Sequence, residues 1–433
     1  MSNEAERRDV ENLSIPLLNG EETPNKAAAA SDDQACNVGS TSFVKTCLNC
    51  LNALSGVGIL SVPYALASGG WLSLILLFII AMATFYTGML IKKCMDMNLG
   101  IKTYPDIGYR AFGGKGRLVV SITMYAELYL VATGFLILEG DNLDNIFPNT
   151  IIELGGLSLG GKKLFVILIG LIITPSVWLD NLNLLSYISA SAVFASVIII
   201  CSIFWTATID GVGFNNKGTL INWEGIPTAV SLYAFCYCAH PVFPTMYNST
   251  RKKPQFSNVL LMCFVLSTFG YASMAIFGYL MYGSNVQSQI TLNLPVNRLS
   301  SKVAIFTTLV NPIAKYALMV TPITNALKEL LQADGTCKKS RLTNILIGTA
   351  LVISTVIVAV SVPFFGDLMS LVGAVLSVTA SLLLPCFCYL KISETYKKFC
   401  FQTVAIMGII FTGVLIGIFG TYTSVLNIIE QLM

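Results

Sequence analysis

Apolar runs about twenty residues long recur from residue 43 to the end of this chain, and they dictate what it can fold into. A helix needs about 20 mostly apolar residues to cross the hydrocarbon core of a bilayer. Inside lipid every backbone polar group must find its partner within the protein, so such runs fold as helices. Eleven spans are expected, near 43–67, 71–93, 118–139, 163–181, 185–208, 226–248, 257–281, 302–326, 342–362, 367–389 and 401–428. Only 11% of the residues are charged, against about 25% in an ordinary soluble protein. The expected fold class is therefore an all-α polytopic membrane protein. The polar residues 1–40 read as a disordered tail and 41–428 as the membrane domain. No cleavable signal peptide is evident at the start.

The charges that remain are sorted. Arg7, Arg8, Lys26 and Lys45 lie at the amino end; Lys92, Lys93, Lys102, Arg110, Lys115 and Arg117 follow the second span. Arg251 to Lys253, then Lys328 to Arg341, then Lys391 to Lys398 fall on the same side of an eleven-span chain. Cytoplasmic loops collect Lys and Arg, so the amino terminus is expected in the cytosol. The acidic start of the connection 139–163, with Glu139, Asp141 and Asp144, reads as solvated. The connection 94–117 leaves room for a short amphipathic helix.

Within the first span, Asn49 to Ala65 reads NCLNALSGVGILSVPYA. Gly56 and Gly58 flank Val57, with Ser55 before and Pro63 after. Glycine costs about 1 kcal/mol and proline about 3 kcal/mol in a helix interior relative to alanine. The stretch is expected to unwind, and unwound backbone at membrane depth survives only where protein or a cavity surrounds it. Close helix packing on small residues is the plainer alternative. The sixth span carries a second interruption: His240, the one histidine of the chain, is followed by Pro241 and Pro244. Broken helices at matching places in two halves mark a transporter site. Five spans separate them, which fits a five-plus-five inverted repeat, about 43–208 and about 226–389, with 401–428 appended.

Ionisable groups deep in the spans are few. His240, with an ordinary pKa near 6.5, suits proton traffic; a neutral imidazole bonded to a freed carbonyl is the structural alternative. Glu127 in the third span must be protonated or paired. Lys315 in the eighth span is a candidate partner for it, or else snorkels or lies beside a break at Pro312. Tyr125 and Tyr129 share a helix face and line a cavity or stack in a core. Hydrolase, kinase and dinucleotide motifs are absent. The pairs Cys236/Cys238 and Cys386/Cys388 lack the histidine company of a metal site and read as buried thiols. No catalytic residue, metal or other cofactor is expected. A net charge of +3 gives no ground for a nucleic-acid partner.

The stretches NALSGVGILSVPYALASGGW, TYPDIGYRAFG at 103–113, ILEGDNL at 137–143 and FCYCAHPVFPTMYNST at 235–250 resemble the signatures of the amino acid/auxin permease family, and most of all its plant vacuolar amino acid transporter 1 group. The resemblance runs from about residue 41 to the end. It implies a LeuT-like fold and proton-coupled movement of amino acids, and the expected function is secondary active transport of neutral amino acids across an internal, vacuolar membrane. It implies that Ser55, Gly56, Val57, Gly58, Cys238, Ala239 and His240 meet the amino acid; the residues themselves add Asn52 and Tyr125 as substrate candidates, and their depth in the spans makes Glu127, ahead of His240, the expected proton-coupling group. Asn52, Ser55 and Thr321 also offer oxygens to sodium, so both coupling ions stand open at this stage. A plasma-membrane importer and an amino acid sensor are the rival functions. The expected partners are an amino acid and the lipid bilayer; nothing in the sequence speaks to oligomeric state.

Overall fold

The computed structural model describes residues 41–98, 100–154, 157–178, 185–333, 341–397 and 400–433. The expected tail, residues 1–40, lies outside them, as do Lys338, Lys339 and Lys398 of the positive clusters. Among the described residues fourteen α-helices follow one another. They are α1 (Phe43–Leu54), α2 (Gly58–Gly69), α3 (Ser73–Met97), α4 (Tyr104–Ile146), α5 (Gly161–Val177), α6 (Leu185–Thr208) and α7 (Ile226–Cys236). Then come α8 (Phe243–Ser249), α9 (Phe256–Tyr282), α10 (Leu299–Ala333), α11 (Arg341–Ser361), α12 (Phe365–Val372), α13 (Leu384–Ser393) and α14 (Phe401–Leu432). One antiparallel hairpin, β1 (Ile151–Leu154) and β2 (Leu157–Gly160), stands between α4 and α5, with Ile151 opposite Gly160.

Among the described residues nine helical stretches are long and apolar enough to cross a membrane, and ten when the bent pair α1–α2 is one span. Ten of the eleven expected spans correspond to these. The other, 163–181, corresponds to α5, which has 17 residues and ends just before the undescribed 179–184. The pairs α1–α2 and α7–α8 lie at the centre. Helix α2 packs on α7 and α9, and α1 on α6 and α9. Helix α10 packs on α6 and α4, closing a shell around the two broken pairs. Helix α14 lies outside on α12 and α7 and leaves Met407, Phe411, Phe419 and Tyr422 exposed.

Three local expectations are revised. Helix α4 begins far earlier than the third expected span, with Thr103 and Asp106 forming a capping box and Pro105 in the first turn. It bends at Phe112 and Gly113, where Gly113 has φ 66°, so the expected amphipathic piece is continuous with the span. At its other end α4 runs on to Ile146, which carries Glu139 into the interior. Glu139 is fully buried rather than solvated, and neither carboxyl oxygen has a partner. Asp141 is ion-paired with Lys162 and accepts from Gln289 Nε2 at 2.9 Å. The tenth span is not uniform: Gly373–Ser377 and Thr379–Leu383 are wound as π-helix between α12 and α13. Such widened turns are rare and concentrate at functional sites.

Candidate functional site

The first span unwinds over Ser55 to Val57, and the two halves meet at 48°. The Ser55 N–H still bonds the Leu51 carbonyl at 2.6 Å, and Gly56 N–H turns back to Leu54 at 2.9 Å. Helix α2 then starts at Gly58. Pro63 does not make this break; it is buried inside a continuous α2. The sixth span stops at Cys236, passes through Tyr237 to Ala239 in non-helical form, and restarts in a short 3₁₀ turn at His240–Val242. Pro241 and Pro244 sit in the first turns of the restarted helix, where a missing N–H costs nothing. They shape the restart, while the chain has already unwound three residues earlier.

The two breaks touch. A Cβ added at Gly58 would lie 2.7 Å from Cys236 Sγ and 3.3 Å from Cys236 Cα, so the bare backbone there lets α7 approach. A Cβ at Gly56 would meet nothing within 4 Å. Tyr271 of α9 binds both breaks together: its hydroxyl donates to the Leu54 carbonyl and stands 3.0 Å from the Cys236 carbonyl oxygen. Those are the last carbonyls of the two leading half-helices, which have no partner within their own helix. Tyr271 carries no sequence signal beyond being an aromatic in an apolar run.

Glu127 projects from α4 toward the second break and is 7% exposed. Ser377, in the π-wound segment, donates to its Oε1 at 2.6 Å. The Cys238 thiol of the second break neighbours the same carboxyl. A titratable group of the third span thus touches the sixth-span break and the tenth span at once. Lys315 is not its partner, against one of the expectations above. The Lys315 amino group lies 3.3 Å from the Ser55 carbonyl oxygen and 3.5 Å from that of Asn52, at the carboxyl end of α1. Helix α10 runs unbroken past Pro312. Ser55 Oγ pairs with Ser196 Oγ at 2.7 Å, and Thr321 Oγ1 donates to its own helix at Ala317.

His240 is fully buried and faces α3. Its Nε2 lies 3.0 Å from both the Thr84 carbonyl oxygen and Thr87 Oγ1, while Nδ1 has no partner. The ring therefore ties the second break to α3. Tyr125 stands apart: its hydroxyl is buried with no partner, and the charges that act on it belong to Glu329 of α10 and Arg117 of α4. Tyr129, one turn on, donates to Ser354 of α11. The structure thus gathers Asn52, Ser55 to Gly58, Cys238 and Glu127 around the breaks, turns His240 to the neighbouring helix and leaves Tyr125 on another contact.

Two polar networks close the ends of this centre. On the side of the positive loops, Tyr247 of α8 donates to Asp96 of α3 at 2.5 Å, and Asp96 pairs with Lys92. There Thr41 Oγ1 donates to the Ser249 carbonyl at 2.6 Å, joining the start of α1 to the end of α8. On the opposite side Lys162 donates to the Pro363 carbonyl at 2.5 Å, and Asn142 donates to Gln289 at 2.7 Å.

The family model described as transmembrane amino acid transporter protein matches residues 39–426. The chain belongs to that family. It is 59% identical over 396 residues to amino acid transporter AVT1I of Arabidopsis thaliana, covering 92% of this chain and 97% of that one. It is 60% identical over 391 residues to amino acid transporter AVT1J of the same plant, covering 90% and 92%. Among solved structures it shares the LeuT-like fold of MhsT, caught in complex with L-phenylalanine, at a TM-score of 0.57 and 11% identity, covering 88% of this chain and 98% of that one. A Na⁺-coupled sialic acid symporter aligns at a TM-score of 0.52 and 10% identity, covering 88% and 89%. The chain is thus a multi-pass membrane protein of an amino acid transporter family, and its function is transport rather than enzymatic catalysis.

Proposed function

We propose that this chain is a secondary active transporter that moves neutral amino acids across the vacuolar membrane in exchange for, or together with, protons. The amino acid lies between the two breaks. Its carboxylate meets the amino-terminal turn of α2, where N–H groups lack intrahelical partners and the helix dipole favours negative charge. Ser55 to Gly58 and Cys238 to Ala239 line it, and the five-plus-five repeat lets the two broken pairs rock against the surrounding helices. The positive loops hold the amino terminus in the cytosol, and the resemblance to the vacuolar group supports the membrane assigned.

The observation that carries the proton reading is the carboxyl of Glu127, buried and bonded by Ser377 while standing beside Cys238 of the second break. Coupling needs a group whose hold on a proton changes with the conformation of the substrate site. A carboxyl is neutral when protonated and crosses a low-dielectric path in that form. The test is uptake of labelled amino acids into proteoliposomes with an imposed pH gradient, in sodium-free medium. The reading expects accumulation above equilibrium that collapses with a protonophore. Uptake that ignores the pH gradient contradicts it.

A further inference from the structure

We propose that the Lys315 ammonium is a tethered cation that takes the place of a dissociable metal cation at the carboxyl end of α1, so that the transport cycle binds no sodium. The inference rests on the transport reading above and deepens it. In transporters built on broken helices, unwound carbonyls and half-helix carboxyl ends coordinate the coupling cation. Here those carbonyls are already engaged. The Lys315 amino group stands 3.3 Å from the oxygen of Ser55 and 3.5 Å from that of Asn52. The negative end of the α1 dipole points at the same place. Lys315 is only 4% exposed, and no carboxylate among the described residues lies within 4.0 Å of its nitrogen. A buried ammonium without a carboxylate partner is costly, and the helix end is what offsets that cost.

The surroundings are those of a cation site. A small cavity beside the break is lined by Gly56, Val57, Ser196, Thr308, Asn311 and Lys315. Thr308 Oγ1 is buried there without a partner. Two carbonyls at the carboxyl end of α1 lie within 3.5 Å of the lysine nitrogen, and the Thr308 hydroxyl and Asn311 amide of α10 line the same cavity; these are oxygens of the kind a hard monovalent ion takes. The ammonium stays on its tether through every cycle. It holds α1 to α10 in the closed state and lets the break rearrange when the contact opens. Truncating the side chain leaves the oxygens in place and vacates the centre.

The test compares melting of the purified full-length protein in sodium chloride and in N-methylglucamine chloride, for the wild type and for Lys315→Ala. The wild type is expected to melt at the same temperature in both salts. Lys315→Ala is expected to melt about 2 °C or more higher in sodium, as linkage requires once the vacated oxygens bind the ion. Lys315→Arg keeps the cation and is expected to stay indifferent to sodium. If Lys315→Ala does not fold, Lys315→Gln carries the same comparison. A wild-type protein stabilised by sodium overturns the proposal, and so does a truncated variant that melts equally in the two salts. A wild type that moves no amino acid at all fails the transport reading and leaves this comparison intact.

Discussion

The contact between the two breaks makes the strongest demand on a single atom. Gly58→Ala places one methyl carbon 2.7 Å from Cys236 Sγ and 3.3 Å from Cys236 Cα. The sulfur is the tip of a side chain only two atoms long, on a residue that is 4% exposed, so it has little room to turn away. Overpacking of this kind costs about 1–3 kcal/mol. Replacing glycine inside a helix returns up to about 1 kcal/mol, but Gly58 is the first residue of α2, where that gain is smaller. The net expectation is a loss of about 1–2 kcal/mol. Gly56→Ala meets nothing within 4 Å and is expected to leave stability unchanged while it intrudes on the substrate space. Melting of the two variants in detergent separates the cases, and Gly58→Ala/Cys236→Ala is expected to recover about half of the loss, because the contact with Cys236 Cα persists. Equal melting of the Gly58 and Gly56 variants refutes the claim that the breaks are held together by this close approach.

Tyr271→Phe strips the donor from the ends of α1 and α7 and is expected to cost about 1–3 kcal/mol, read by melting; an unchanged melting point contradicts the bridging role. His240→Leu keeps bulk and removes the bond to Thr84 and Thr87, so it is expected to raise the apparent KM for substrate several-fold while proton-driven accumulation persists; loss of accumulation makes His240 the proton carrier instead. Tyr247→Phe frees Asp96 and is expected to open the side of the positive loops, raising the labelling rate of a cysteine placed at Ser55; an unchanged rate contradicts the closure assigned to that network.

Most of the fold was legible because lipid leaves a chain so few choices. Apolar length marks the spans, and ten of them correspond to helices long and apolar enough to cross, although α4 extends well beyond the span expected of it. The first break was also legible, since two glycines within three residues weaken a helix, although Gly58 turns out to serve close packing on Cys236 as well. Its cause was partly misread: Pro63 stays inside α2, its missing bond tolerated in a packed helix. Glu139 was misplaced because a carboxylate near a span end looks solvated, and nothing local reveals that α4 continues for seven more residues to Ile146. The partners of Glu127 and Lys315 lie far away in sequence. Ser377 is 250 residues from Glu127 and acts from a π-wound turn that no propensity announces. Lys315 seeks backbone carbonyls, which carry no signature of side-chain type. Tyr271, at the junction of both breaks, looked like any aromatic in a span.

The proposed role of Glu127 as carrier of the coupling proton is probed by a single conservative change. Glu127→Gln keeps the size of the side chain and an acceptor for Ser377, yet cannot take up or release a proton. Proteoliposomes of the wild type and the variant are loaded with unlabelled amino acid for exchange, or left empty with an imposed pH gradient for accumulation. The account predicts that the variant exchanges labelled for unlabelled amino acid at close to the wild-type rate and accumulates none above equilibrium. Accumulation by Glu127→Gln at the wild-type level, driven by the same pH gradient, contradicts it.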